Sequence, residues 1–182
     1  MPANSTTLDP EWSILLAACS ELPRTEKTER IRLLLPQLTP PVRWKILLDL
    51  ADRHGAQPLL YQALVALEGA VPREQIPVIE QRYQINLHKS LLLSRELIRV
   101  VDHLSALGLA VMPYKGLALA ELLYGDIALR QTGDIDLLVR PQDFPRTRAA
   151  VRELGYAPHL SLSAAEERAY LKSGCDIASG SL

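Results

Sequence analysis

Arg130-Gln131-Thr132-Gly133-Asp134-Ile135-Asp136-Leu137-Leu138-Val139 is the stretch on which the fold and the chemistry of this chain turn. Asp134 to Val139, bounded by Pro141, predicts a strand in which Asp134, Asp136 and Leu138 share one face and Ile135, Leu137 and Val139 the other. Two carboxylates then stand side by side on an otherwise apolar strand. Like charges that close destabilise each other and lose hydration where they are buried, so a cation is expected between them. Magnesium takes oxygen ligands in octahedral geometry and is commonly held by one or two carboxylates together with substrate phosphates. Mg2+, or Mn2+ in its place, is therefore the expected cofactor, with Asp134 and Asp136 as metal ligands and candidate catalytic residues. The competing reading makes Asp134 a turn cap after Gly133 and puts Asp136 on an exposed sheet edge.

Upstream, Leu109-Ala110-Val111-Met112 predicts a buried strand between the helix stop at Gly108 and the break Pro113-Tyr114-Lys115-Gly116. A short helix follows, with Leu117, Leu119, Ala120 and Leu123 as its apolar side and Tyr124-Gly125-Asp126 as its end. Lys115-Gly116 thus opens a helix directly after a strand, where backbone amides can receive an anion and glycine permits close approach. The order is Lys-Gly, so the phosphate-binding loop of P-loop enzymes is absent, and no G-x-G-x-x-G occurs. Lys115 and Gly116 are candidate phosphate-binding residues, with a solvent-facing turn as the alternative for Lys115.

Further out, Phe144 to Leu154 predicts a helix closed by Gly155, Tyr156 to His159 an edge strand, and Ser163 to Leu171 a helix capped by Ser163 with Glu166 at the third position. Ser173 to Leu182 is expected to fray, and Arg140, Arg146, Arg148 and Arg152 to form a solvated face. Towards the N-terminus the spacing predicts helices from Pro10, from Thr25 to about Pro36, from a Thr39 cap with Pro40 in the first turn to Gly55, and from Pro58 to Leu67. One long helix is predicted over Arg73 to Leu107, its stripe running through Ile76, Ile79, Tyr83, Leu87 and Leu91 and then Ile98, Val101 and Leu104. Arg82, His88, Lys89, Arg95, Glu96 and Arg99 fall on its solvated side. The expected organisation is a helical region over 1–107 and an α/β core over 108–182.

With 182 residues the chain can bury roughly 70% of the surface it would expose unfolded, enough for one ordinary domain or two small ones. Twenty Lys and Arg against 21 Asp and Glu exclude binding of DNA through bulk charge. No apolar run approaches the ~18 residues that would suggest a membrane span, and Met1 to Pro10 lacks the basic start of a secretory signal. Cys19 and Cys175 stand apart without metal or redox spacing and are expected to be packing residues, which fits a cytoplasmic, reducing compartment. His54 suits a helix C-terminus, and His88, His103 and His159 are scattered without ligand spacing.

The runs Tyr114-Lys115-Gly116-Leu117-Ala118-Leu119-Ala120, Leu123-Tyr124-Gly125-Asp126, Leu129-Arg130, Gly133-Asp134-Ile135-Asp136-Leu137-Leu138-Val139 and Gly155-Tyr156, taken together, resemble the uncharacterised nucleotidyltransferase family. That family belongs to the polymerase-beta-like nucleotidyltransferase superfamily. The resemblance covers about Gly108 to Tyr156 and implies an α+β or α/β fold: a helical N-terminal region followed by a partial nucleotidyltransferase core with a small mixed sheet. In that core Gly116 would help position a triphosphate and Asp134 and Asp136 would bind magnesium. Arg130 and Gly133 would join Lys115 and Gly116 in the phosphate-binding set, Arg130 because a guanidinium suits bidentate phosphate contact, with a salt bridge as its alternative. The implied reaction is Mg-dependent transfer of NMP from NTP to an acceptor hydroxyl on a protein, RNA or small molecule.

Two departures stand beside this resemblance. The superfamily usually has Gly or Ser after its glycine and the acidic pair some ten residues on, whereas here Leu117 follows Gly116 and Asp134 lies 18 residues on. Such enzymes also take a third carboxylate from a later strand, before which this chain is expected to stop; Asp176 is the weak substitute. The alternatives are a catalytically incomplete nucleotide-binding or interaction module and a metal-dependent phosphohydrolase.

Overall fold

The computed structural model describes residues 9–67, 69–158, 165, 166, 169, 179 and 180. The described chain has an α+β fold and divides into two compact units, one of residues 1–93 with 115–134 and one of 94–114 with 135–182. The expected boundary at 107/108 therefore falls inside the second unit.

The first unit is built on helices α1 (Pro10–Cys19), α2 (Arg24–Leu34), α3 (Trp44–Arg53) and α4 (Gln57–Leu64), with the first part of α5 (Ile76–Ala106). Pro10 and Pro58 sit in first turns, where the missing N–H costs nothing, and Pro36 ends α2 in a short 3-10 turn, Leu35–Gln37. Ile14, Leu15, Ile31, Leu47, Leu48, Leu60 and Ile79 form the core, and buried alanines at 17, 18, 51 and 63 let the helices approach closely.

Helix α3 begins at Trp44, later than Pro40, because Pro41 disfavours helical backbone at the residue before it. Arg43 takes the N-cap position, and the Glu11 carboxylate of α1 accepts its backbone N–H at 2.6 Å and its guanidinium at 2.9 Å. These hydrogen bonds hold Glu11, which burial would push up, down at about 2 from an ordinary 4.5. A depressed carboxylate contributes stability that is present above pH 4.5 and lost as the pH falls towards 2. Glu11→Gln is therefore expected to cost roughly 1–3 kcal/mol at neutral pH and to flatten the acid limb. Urea midpoints from about pH 7 to about pH 2 check this; parallel curves for the two proteins contradict it.

The long helix departs from the expected stripe. Its buried positions are Ile79, Asn86, Ser90, Val100 and Leu104, while Ile76 and Leu91 are exposed. Arg82 lies against α3, paired with Asp49 at 3.1 Å and with Asp52, so it is not a purely solvated residue. Cys19 also departs from expectation. As the last residue of α1 it falls off the buried side set by Ile14, Leu15, Ala17 and Ala18 and is exposed; Cys175 lies outside the described residues.

The second unit takes the rest of α5, strands β1 (Val111–Pro113) and β2 (Leu137–Val139), and helix α7 (Phe144–Glu153). Its core is Val100, Leu104, Leu109 and Ala150, with Val111, Leu137, Val151 and Leu154 packed on it. Leu109, expected in the strand, still belongs to the helix end: its N–H bonds back to the Leu104 carbonyl at 3.0 Å after Gly108 at φ +69°. Strands β1 and β2 pair antiparallel, Val111 opposite Val139 and Pro113 opposite Leu137. Arg146 is exposed, as expected, and donates to the Leu107 carbonyl at 3.1 Å. Glu96 accepts from Arg99 and from the Tyr156 hydroxyl, and burial with that bond pushes the phenol up to about 12.

A second antiparallel pair joins β3 (Ala157–Pro158) to β4 (Ser179–Gly180). Ser179 and Gly180 are thus paired where fraying was expected, because Ala157–Pro158 offers them an edge. Ala165, Glu166 and Ala169 are helical, while Ser163 and the rest of that expected helix lie outside the described residues. Among the described residues no helix is long and apolar enough to cross a membrane.

Candidate active site

The acidic strand is shorter than its sequence suggests. Tyr114 N–H still donates to the Asp136 carbonyl at 2.9 Å, continuing the β1–β2 register by one pair. Lys115 then takes φ +60° and ψ −149° and turns the chain into helix α6 (Gly116–Tyr124). No partner remains opposite Ile135 and Asp134, so regular pairing covers only Leu137–Val139 and Asp134 lies in a bend. The alternating-face argument therefore holds from Asp136 onward and not for Asp134.

Lys115 is the one non-glycine residue with positive φ among the described residues. Such a conformation costs about 1–3 kcal/mol and persists only where its surroundings over-determine it. Gly116 follows at φ +45°. A Cβ there would lie 3.2 Å from Thr132 Cγ2 and 3.5 Å from the Asp134 carbonyl oxygen. The start of α6 is thus laid directly against the backbone that leads into the acidic pair. Helix α6 has no side-chain cap, so its first amides keep no intrahelical partner, as at any helix N-terminus. Gly116, Leu117 and Ala120 are buried; Leu123, expected on the apolar side, is exposed because Gly125 at φ +63° ends the helix within one turn of it.

The other wall of the turn is set from below. Asp126 accepts the Ala128 N–H at 2.8 Å and closes a 3-10 turn, Ile127–Leu129, whose Ala128 and Leu129 are buried. Asn86 of α5 donates to the Ala128 carbonyl at 2.8 Å. Arg130 follows, half-buried, with Nη1 at 3.5 Å from the hydroxyl of the buried Thr132. Lys89 of α5 brings its Nζ to 3.8 Å from where a Cβ on Gly133 would stand. Lys89 is exposed, as its place on the solvated side predicted; Asn86 was given no part, and the available signal for it was a pair of polar residues, Asn86 and Ser90, spaced to continue the stripe from Ile79.

Asp134 is exposed and Asp136 half-buried, and neither carboxylate has an ion pair or side-chain hydrogen bond within the described residues. Two anionic oxygen donors one residue apart, with no cation among the described residues paired to them, are a donor set that fits a hard divalent ion. Among the described residues no group of three or more His, Cys, Asp and Glu gathers to hold a metal, and Asp176 lies outside them.

Residues 40–178 match the family described as an uncharacterised nucleotidyltransferase. The chain belongs to that family. No match was found among curated proteins or among solved structures. The match to the uncharacterised nucleotidyltransferases begins well before the acidic strand and takes in α3, α4 and α5. Membership carries a nucleotidyltransferase-type function and, with it, a nucleotide as the substrate class.

Proposed function

We propose that this nucleotidyltransferase moves a nucleoside monophosphate from an Mg2+-bound NTP to an acceptor hydroxyl and releases pyrophosphate. The observation that carries the reading is the Gly116 turn laid against Thr132 and Asp134, which puts uncapped helix amides beside the acidic segment. In this reading the first amides of α6 donate to phosphate oxygens, and Lys115 and Arg130 offset their charge. Gly133 keeps the approach to Asp134 free of a side chain. Asp134 and Asp136 hold the ion, whose chemistry when bound is to offset charge on the phosphates and on the leaving pyrophosphate. The bond formed is acceptor oxygen to the α-phosphorus, and the bond broken joins that phosphorus to the β-phosphate bridging oxygen. The hydroxyl proton leaves with solvent or a base. Positioning and charge stabilisation carry most of the rate.

Incubation of the full chain with each α-labelled NTP, Mg2+, and protein, RNA and small-molecule fractions of a cell extract tests this. The expected result is labelled NMP on an acceptor or on the chain itself with one pyrophosphate per transfer. Release of orthophosphate without transfer would overturn it in favour of a phosphohydrolase.

A further inference from the structure

We infer that Lys89, supplied by helix α5, is a phosphate-contacting residue of this site. The inference rests on the nucleotide reading above and adds a residue 27 positions upstream of Gly116 that no motif in the chain points to. Lys89 reaches to 3.8 Å from the place a Gly133 side chain would occupy, so its ammonium stands in the space that glycine leaves open, beside the residue preceding Asp134. Its position is fixed from the same helix. Asn86, one turn earlier, donates to the Ala128 carbonyl at 2.8 Å, which registers α5 against the 126–134 segment.

Two further observations suit Lys89 to that contact. No carboxylate among the described residues comes within 4.0 Å of it, Asp134 included, so its charge is not spent on a salt bridge. It is also exposed, on the outer face of α5 beside Ile85 and His88, so a ligand can reach it. An ammonium on a four-carbon stem is a point charge that follows a phosphate without fixed geometry, which suits a polyphosphate laid along the Gly116 turn. The two cations then close on the phosphates from different elements, Lys89 from α5 and Arg130 from the loop.

The test titrates Mg·ATP, Mg·GTP, Mg·CTP and Mg·UTP, and Mg·tripolyphosphate as a base-free probe, into the wild type, Lys89→Ala, Lys89→Gln, Lys89→Arg and the charge control Arg95→Ala. Lys89→Ala and Lys89→Gln are expected to bind both triphosphates and tripolyphosphate about tenfold or more weakly, as for loss of one charge-assisted contact. Lys89→Arg should recover most of the affinity and Arg95→Ala should keep all of it. A structural role would not follow charge in this way. Wild-type affinity in Lys89→Ala overturns the inference and leaves the site reading standing. A wild type that binds none of these probes overturns both.

Discussion

Replacement of Asp134 and Asp136 together by Asn is expected to lower the affinity for a divalent ion with NTP by at least about a hundredfold, or roughly 2.7 kcal/mol. Asn keeps the size and one acceptor oxygen but removes the negative charge, and a hard cation is held by anionic oxygen. The fold should survive. Neither side chain is paired within the described residues, so the exchange breaks no ion pair and relieves the repulsion between two acids one residue apart. The melting temperature of the double variant is therefore expected to equal or exceed that of the wild type. Titration with Mn2+ and NTP followed by electron paramagnetic resonance reads the binding, and a thermal melt reads the fold. Unchanged Mn2+ uptake in a folded double variant would remove both residues from the site.

Gly116→Val is expected to be the most damaging single change outside the acidic pair. The backbone at φ +45° is strained for any L side chain and worst for a β-branched one, and the new Cβ meets Thr132 Cγ2 at 3.2 Å and the Asp134 carbonyl at 3.5 Å. Strain and displacement together are expected to cost about 2–4 kcal/mol. The helix start also moves off the acidic segment, so NTP affinity should fall by tenfold or more, on the order of one lost set of amide contacts. Gly125→Ala supplies the comparison. It also has positive φ, +63°, but nothing stands within 4 Å of its new Cβ, so about 1–2 kcal/mol of stability is expected to go while NTP binding is kept. Urea midpoints and NTP titrations on the two variants check the contrast. Equal loss of NTP affinity in both would show that Gly116 matters only for folding.

The order of helices and strands was legible because it is written locally. First-turn prolines, glycine stops and short apolar runs lie next to the elements they define, and the helices fall close to where those signals put them, except that α3 starts at Trp44 and not at Pro40. The acidic pair was legible for the same reason, since Asp134 and Asp136 are near neighbours on one segment. What escaped depends on distant partners. The strand loses Asp134 because its partner turns away at Lys115, a conformation no local pattern announces. The stripe of α5 shifts from Leu87 and Leu91 to Asn86 and Ser90 because Asn86 finds its acceptor 42 residues downstream at Ala128, which makes a buried amide tolerable. Lys89 is exposed, as its place on the solvated side of α5 predicted, but its approach to the Gly133 turn was not legible because that turn lies far along the chain. Asp176, the substitute for a third acid, lies outside the described residues.

The central claim is that the turn from Lys115 to Gly116 and the acidic segment together bind a metal-dependent NTP. Calorimetric titration of each NTP into the full chain, once with Mg2+ and once with EDTA, tests it most directly. At least one NTP is expected to bind in Mg2+ with a stoichiometry of about one per chain and to lose that binding in EDTA. Binding of equal strength with and without the ion, or no binding of any NTP in Mg2+, would contradict the account.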